Sequence, residues 1–490
     1  MDPRLYLANE IINIILMTDA YKLTHWKMYP KGLEYLYSYF ESRGGVFPSV
    51  IFFGLQMILK KYFVGNVLTQ AMINEADTFC RTIFGQNLFN KEGWQYILDK
   101  YKGKLPLRIM AVPEGMEVPT SNVLMTVENT DPQVPWLTNW AETVLVQSWY
   151  PTTVATMSYY TKKIIGKWCA ASGTELSPFH LNDFGFRGVS SVESAGIGGC
   201  SHLVPFSGTD NLEGIKYAMD YYNFKPGVMS VPATEHSTTT IYGKDGEPEA
   251  YKTFLTEYFD GTLSIVIDSW NTLNAVMKIL GTDLKDLILA RNGKTVFRPD
   301  SGDPVEMTVM IYRALWECFG GTIRKGFKVL NPAVGIIYGD GINYLSIDKI
   351  LQDVHASGFA TDNLFGEGGG LLQQVDRDTQ RFAFKASHAV INGLSRDVFK
   401  QPADDMSKAS KRGKLKLIRN IASATGISTV CDTHFQEDNI LQKVYENGEL
   451  LIDHDFNDVR ALNDSYFRKS PYGNMNPDEI FKFQNVGLGW

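Results

Sequence analysis

From about residue 180 short apolar runs recur, most of them ending in or followed by Asp, Glu or Gly: "LNDFGFRG", "VMSVPATEH", "LSIVIDSW", "KTVFRPDSGD", "AVGIIYGDG", "NLFGEGGG" and "RFAFKAS". Helix-like segments separate them. His236 and Asp268 lie 32 residues apart, Asp268 and Asp300 again 32, and Asp300 and Asp340 40. That is the length of a strand plus a helix that returns the chain to the same end of a sheet, so the spacing predicts parallel β/α units. In barrels of this kind chemistry gathers at the C-terminal ends of the strands, where these polar residues fall. Polar loops follow strands in any soluble β/α protein, so the placement alone does not make a site.

Elsewhere the pattern differs. "LPLRIMAVPEGMEVPTSNVLMTVENTDPQVPW" alternates short apolar runs with turn residues, as small antiparallel strands do. "WAETVLVQSWYPTTVATMSYYTKKIIGKW" reads as helix with a break near Pro151. Further on, "LQKVYENGELLIDHDF" predicts a hairpin closed at Asn447-Gly448. The expected fold is α/β, an irregular β/α barrel over 151–389 with a discontinuous α+β domain built from both chain ends, 1–150 and 390–490. The 490 residues include 47 basic and 54 acidic side chains, a net −7, so no global basic field invites nucleic acid or a membrane surface. Five scattered cysteines form no C-x-x-C pair, which argues against a zinc site or a disulfide framework. No apolar run approaches the roughly 20 residues that span a bilayer. The start is interrupted by Arg4, Glu10 and Asn13 and lacks a cleavage site, unlike a signal peptide. The expected location is cytoplasmic.

"VPATEHST" sets His236 between Glu235 and a run of hydroxyls. A lone histidine is more often a packed side chain than a catalyst. Asp268, however, ends the next predicted strand and falls at the same mouth. A carboxylate on one ring nitrogen fixes the tautomer and leaves the other free as base or nucleophile. "GEGGGLLQQ" (366–374) fits either a flexible turn or a phosphate cradle at a helix start, and "IIYGDGIN", with Asp340 between glycines, repeats the pattern. "FRPDSGDP" places Arg298 beside Asp300 and Asp303. That set could grip phosphate and hold sugar hydroxyls or Mg2+, or form a solvated turn with an internal ion pair. "NDFGFRG" sets Phe184 and Phe186 against Arg187, either as core packing or as a seat for a flat heterocycle bearing phosphate. The lysines of "KASKRGKLKL" (408–417) fit a solvated loop or a cover over an anion.

These segments, in this order, resemble the nicotinamide phosphoribosyltransferase family of type II phosphoribosyltransferases. The resemblance is carried by "TDAYKLTHWKMYP", "YSYFESRG", "FFGLQMILKKY", "DFGFRGVSS", "GTDNLEG", "SVPATEHST", "FRPDSGDP", "GDGI", "GGGLLQ" and "FKAS", and it covers nearly the whole chain. It implies transfer of the phosphoribosyl group of phosphoribosyl pyrophosphate to the ring nitrogen of nicotinamide, giving nicotinamide mononucleotide and pyrophosphate in NAD salvage. It also implies Mg2+ as cofactor and ATP as co-substrate, hydrolysed through a phosphohistidine. On this resemblance His236 is the phosphate acceptor, Asp268 orients it, and Glu235 is nearby. Phe184 stacks on the pyridine ring, with Tyr21 of the partner subunit on the opposite face, in a homodimer with shared active sites. Asp210 accepts a hydrogen bond from the carboxamide, and Ser264 lines the nicotinamide pocket. Arg187, Arg298, Gly339, Gly369 and Arg377 fall at phosphate or pyrophosphate positions, Arg298 also at the nicotinamide site. Arg43 and Lys400 reach across the dimer. Asp300 binds ribose, and Asp340 is close to the same ligand.

One residue departs from the family pattern. Glu367 precedes the triple glycine, where a small or neutral residue is expected, and a carboxylate there repels a phosphate unless it turns outward. Asp210 separates this reading from the nicotinate enzyme, since a carboxylate suits a carboxamide donor and repels a second carboxylate. The intact set of His236, Asp268, Arg298, Asp300 and Asp340 speaks against a non-catalytic binding protein of the same fold. Without the resemblance, the bare pattern fits a barrel enzyme acting on another phosphosugar.

Overall fold

The computed structural model describes residues 12–401, 409–420, 422–423, 425–431 and 438–469. The chain divides into two compact units, Met1–Thr152 with Arg377–Asp455, and Thr153–Asp376 with Phe456–Trp490. The first unit is built on a seven-stranded sheet. Its strand Leu33–Ser42, rich in aromatic residues that favour a pleated surface, pairs antiparallel with Phe382–Ile391 on one side and Val123–Asn129 on the other. Leu107–Ala111 continues the sheet and pairs with Gln442–Glu446. The expected hairpin follows, with Tyr445 opposite Leu450 and Glu446 opposite Glu449. Asn447 at φ 51° and Gly448 at φ 85° both take the left-handed conformation that such a two-residue turn requires.

The second unit carries a six-stranded parallel sheet in the order Gly208–Thr209, Leu181–Asp183, Leu364–Glu367, Val334–Tyr338, Thr295–Arg298, Leu263–Val266. An irregular segment joins its two edges. Thr209 N–H donates to Met229 O at 3.0 Å, while Ser264 N–H donates to Pro232 O and Thr234 N–H to Ser264 O, both at 2.9 Å. Thr234 Oγ1 also accepts the Val266 N–H at 2.8 Å. This segment is the "VMSVPATEH" run. It curls the sheet into the irregular β/α barrel without forming a regular strand, because Pro232 has no N–H to offer a ladder. Helices such as Pro304–Phe319 and Tyr344–Ala356 bury Ile311, Leu315, Ile347, Ile350 and Leu351 against the strands. The first of them starts cleanly: Asp303 accepts the N–H groups of Val305 and Glu306, and Pro304 occupies the first turn, where no N–H is needed.

Three sequence expectations need correction. The helical break falls at Gln147-Ser148, between Glu142–Val146 and Trp149–Ser172, and Pro151 sits inside the first turn of the later helix. A proline there removes no helical hydrogen bond. The "RFAFKAS" run is not a barrel strand, since Phe382–Ile391 pairs antiparallel with Leu33–Ser42. The chain therefore re-enters the first unit at Arg377 rather than at 390. Finally, the last described helix, Phe456–Lys469, belongs to the second unit. Phe456 packs on Tyr222 and Phe224, Lys162 pairs with Asp464 at 2.7 Å, and Arg460 donates to Ser207 at 2.7 Å. Among the described residues no helix is long and apolar enough to cross a membrane. Lys408 lies outside the described residues, as does the tail from residue 470.

Candidate active site

The residues singled out in the second unit stand just past the strand ends, on one rim. Phe184 and Arg187 follow Leu181–Asp183, and Asp210 follows Gly208–Thr209. His236 follows the closing segment, Asp268 and Asp300 follow their strands, and Gly339, Asp340 and Gly369 complete the circuit. Parallel strands all point the same way, so one sheet brings together groups nearly 200 positions apart.

At the centre His236 Nε2 meets Asp268 Oδ1 at 3.1 Å, while Nδ1 faces Asp300 Oδ2 at 3.9 Å. The Asp268 side chain is 2% exposed, and its other oxygen accepts the Asp300 N–H at 2.9 Å and the Ser301 hydroxyl at 2.5 Å. The buried carboxylate is thus fixed from two sides and fixes the ring in turn. The ring itself is 45% exposed, open to a reactant. Glu235 behaves differently: its carboxylate accepts the Ser237 hydroxyl, and it lies outside the hydrogen bonding of the ring.

Beside this pair a cavity of about 430 Å³ enters the barrel, lined by Phe184, Asp210, Ser264, Arg298 and Val296 among others. It continues to His180, Lys294 and Asp362, which precede their strands, so the barrel interior is not packed solid. Two buried donors facing this space lack any protein partner, Ser264 Oγ and Arg298 Nε. Arg298 Nη2 donates to Thr234 O at 2.6 Å. Burial pulls its guanidinium below the usual range, with the Asp300, Asp210 and Asp268 charges acting against that and Arg187 reinforcing it. Asp210 accepts the Ser230 hydroxyl and is otherwise exposed.

The glycine turns touch this set. A Cβ at Gly339 would lie 3.5 Å from the Phe184 ring and 3.8 Å from Asp300 Oδ1. A Cβ at Gly366 would fall 2.0 Å from Phe184 Cε2, so only glycine leaves room for the ring. A Cβ at Gly188 would lie 3.4 Å from Gly369, which places the Arg187 turn against the glycine cluster. The expected helix is a single turn, Gly369–Leu372, that begins within that cluster. Glu367 does not turn outward. Its side chain is buried at 1% exposure, and burial, reinforced by Asp183, pushes its carboxyl up to about 8. It is therefore uncharged near neutrality, which removes the repulsion expected of it.

The remaining candidates belong to the first unit. Tyr21 is 58% exposed on the helical turn Ala20–Lys27. Arg43 donates to Glu41 at 2.9 Å and keeps one buried guanidinium nitrogen without a partner. Arg377 meets Asp378 at 3.3 Å, and the Lys400 side chain is exposed. Lys385, which the sequence reading did not single out, lies within reach of the Arg43, Lys400 and Arg377 charges. Burial pulls its ammonium below the usual range and, despite Glu142, the Arg43, Lys400 and Arg377 charges push the same way. A lysine inside the apolar run "RFAFKAS" was the available signal. Asp183, Ser230 and Thr234 were missed as well, although Asp183 obeys the same rule of a carboxylate at the end of an apolar run.

A parallel β/α barrel with glycine turns, an open histidine held by a buried aspartate and a cavity at its C-terminal rim has the build of a phosphoribosyltransferase. Residues 179–449 match the family model of the nicotinate phosphoribosyltransferase family, and residues 13–109 match that of the nicotinamide phosphoribosyltransferase N-terminal domain. A nicotinamide phosphoribosyltransferase of Xanthomonas campestris is 43% identical over 92% of this chain and 98% of its own. One from Acinetobacter baylyi is 34% identical over 92% and 96%. Among solved structures, the nicotinate-nucleotide pyrophosphorylase of Pyrococcus furiosus shares the fold, with a TM-score of 0.58 at 14% identity over 95% of this chain and 98% of that one. The chain belongs to the nicotinamide phosphoribosyltransferase family.

Proposed function

We propose that this enzyme joins nicotinamide to the phosphoribosyl group of phosphoribosyl pyrophosphate, forming nicotinamide mononucleotide and releasing pyrophosphate in NAD salvage. The observation that carries the reading is the cavity wall, where an acceptor, Asp210, is combined with two unpartnered donors, Ser264 Oγ and Arg298 Nε. A carboxamide matches this set, because its N–H2 donates to Asp210 and its carbonyl accepts from Ser264 or Arg298. The pyridine ring lies on Phe184, which holds a weak neutral nucleophile in line. As the ribosyl C–O bond breaks, positive charge gathers on the sugar and negative charge on the departing pyrophosphate, and Arg187 and Arg298 stabilise the latter.

Among the described residues no group of three or more His, Cys, Asp or Glu could hold a metal. Mg2+ would be carried mainly by phosphate oxygens, with Asp300 and Asp340 as the carboxylates that would hold it, and when bound it would neutralise leaving-group charge. ATP phosphorylates His236 at the ring nitrogen that Asp268 does not hold, releasing ADP, and water later frees the phosphate. A homodimer supplies Tyr21, and the basic set around Lys385, to the partner's site. The cell compartment is the cytoplasm, in keeping with free cysteines.

Asp210→Asn tests the reading. A hydrogen bond to a charged group is worth roughly 1.5–3 kcal/mol, so nicotinamide use should fall by about one to two decades while nicotinate exclusion is relieved. The measurement is kcat/KM for both bases in wild type and variant. An unchanged ratio removes Asp210 as the reader of the carboxamide and favours the nicotinate enzyme.

A further inference from the structure

Glu367 has no part in the chemistry above, yet it lies directly opposite Asp183 on the neighbouring parallel strand. The two side chains are 1% and 0% exposed. Asp183 accepts the Gly185 N–H at 2.7 Å and the Asn211 amide at 2.9 Å. Glu367 Oε1 accepts nothing, and it lies under the glycine turn, 3.0 Å from where a Cβ on Gly370 would stand. Around the pair, Asp210 acts on Asp183, and the Tyr344 hydroxyl feels Glu367. Among the described residues no lysine, arginine or histidine compensates either carboxyl. Two carboxylates buried side by side without a cation do not both ionise near neutrality, because each charge raises the cost of the other.

We propose that Glu367 is a positioning residue for the phosphate turn: it shares one proton with Asp183, and loss of that proton places a negative charge beneath Gly368, Gly369 and Gly370 that expels the ligand's phosphate. The proposal rests on the function assigned above, since it takes the turn to hold phosphate. Burial pushes Asp183 up to about 6 and Glu367 up to about 8, so the shared proton is held at neutrality and lost in mild alkali. Below that range the turn binds fully; above it, binding weakens with rising pH. Glu367→Gln keeps the shape and cannot ionise, so it removes the pH dependence.

The test is binding of inorganic pyrophosphate to the full chain at pH 7 and pH 9, by calorimetry, for wild type and Glu367→Gln. At pH 7 the two should bind alike. Between the two pH values the wild-type Kd should rise about tenfold more than that of the variant, the ionisation of pyrophosphate being common to both. The infrared carbonyl band of a protonated carboxyl should be present in wild type at pH 7, lost at pH 9 and missing from Glu367→Gln. A ratio of Kd values that does not move with pH, or a wild type without that band at pH 7, overturns the proposal. Should Glu367→Gln fail to fold, the wild-type band and its pH dependence decide alone. Nicotinamide mononucleotide formation is measured on the same preparations. Wild type that makes no nucleotide but shows the pH-dependent ratio refutes the assigned reaction and supports the shared proton; active protein with a flat ratio does the reverse.

Discussion

His236 draws its chemistry from what holds it. Asp268 is buried and bound by the Asp300 N–H and the Ser301 hydroxyl, so its carboxylate cannot swing away, and it grips one ring nitrogen. A histidine held this way keeps one tautomer and leaves its other nitrogen free as base or nucleophile, the position that the proposed phosphohistidine needs. His236→Ala should abolish ATP hydrolysis and the ATP-dependent rise in nucleotide formation, leaving a slow basal transfer. Asp268→Asn should lower ATP hydrolysis by roughly 10²-fold or more, because the amide cannot support positive charge on the ring. Acid-labile phosphate incorporated from labelled ATP is the readout, and its persistence in His236→Ala places the acceptor elsewhere. That His236 and Asp268 fall at one mouth was legible in the strand-plus-helix spacing; the contact itself was not. Nor was the exclusion of Glu235, since its bond to Ser237 follows from the local path of the turn.

At the scale of elements, the strand Leu364–Glu367 serves the site by what it lacks. Gly366 pairs in register with Asn182, and the Phe184 ring occupies the space where a side chain would stand. Gly366→Ala forces the ring aside. It should cost about 1–3 kcal/mol of stability by overpacking and raise the KM for nicotinamide about tenfold or more. Gly369→Ala meets nothing within 4 Å, so it should leave the nicotinamide KM within about twofold and act, if at all, on the phosphoribosyl ligand. Thermal unfolding and initial rates separate the two. Equal shifts of the nicotinamide KM in both variants would show that the Phe184 ring is not what Gly366 accommodates. The glycine cluster was visible as a phosphate-suited turn, whereas the clash that makes Gly366 obligatory arises from a ring 182 positions away.

At the scale of the whole molecule, the candidate residues divide between two units. Phe184, Asp210, His236 and Arg298 lie in one, and Tyr21, Arg43, Lys385 and Lys400 lie in the other. In the proposed homodimer with shared active sites, Tyr21, exposed on its own chain, would lie on the ring's open face. Mixing inactive Tyr21→Ala chains with inactive His236→Ala chains should restore part of the activity once subunits exchange, because some heterodimer sites then contain both residues. Exchange demonstrated by mass, with no activity returning, rules out the shared site.

The sequence by itself determined whatever rests on local spacing and local backbone chemistry. The parallel units from residue 180, the Asn447-Gly448 hairpin and the rim that carries His236, Asp268, Arg298 and Asp300 all follow from periodicity, strand-plus-helix lengths and turn residues within a few positions of each other. Tertiary structure alone decided which sheet received Phe382–Ile391, how Met229–Thr234 joins the barrel edges, where the cavity runs, and that Glu367 turns inward beside Asp183. Strand partners and desolvation are set by residues far along the chain, and a carboxyl's charge depends on them rather than on its own neighbours in sequence.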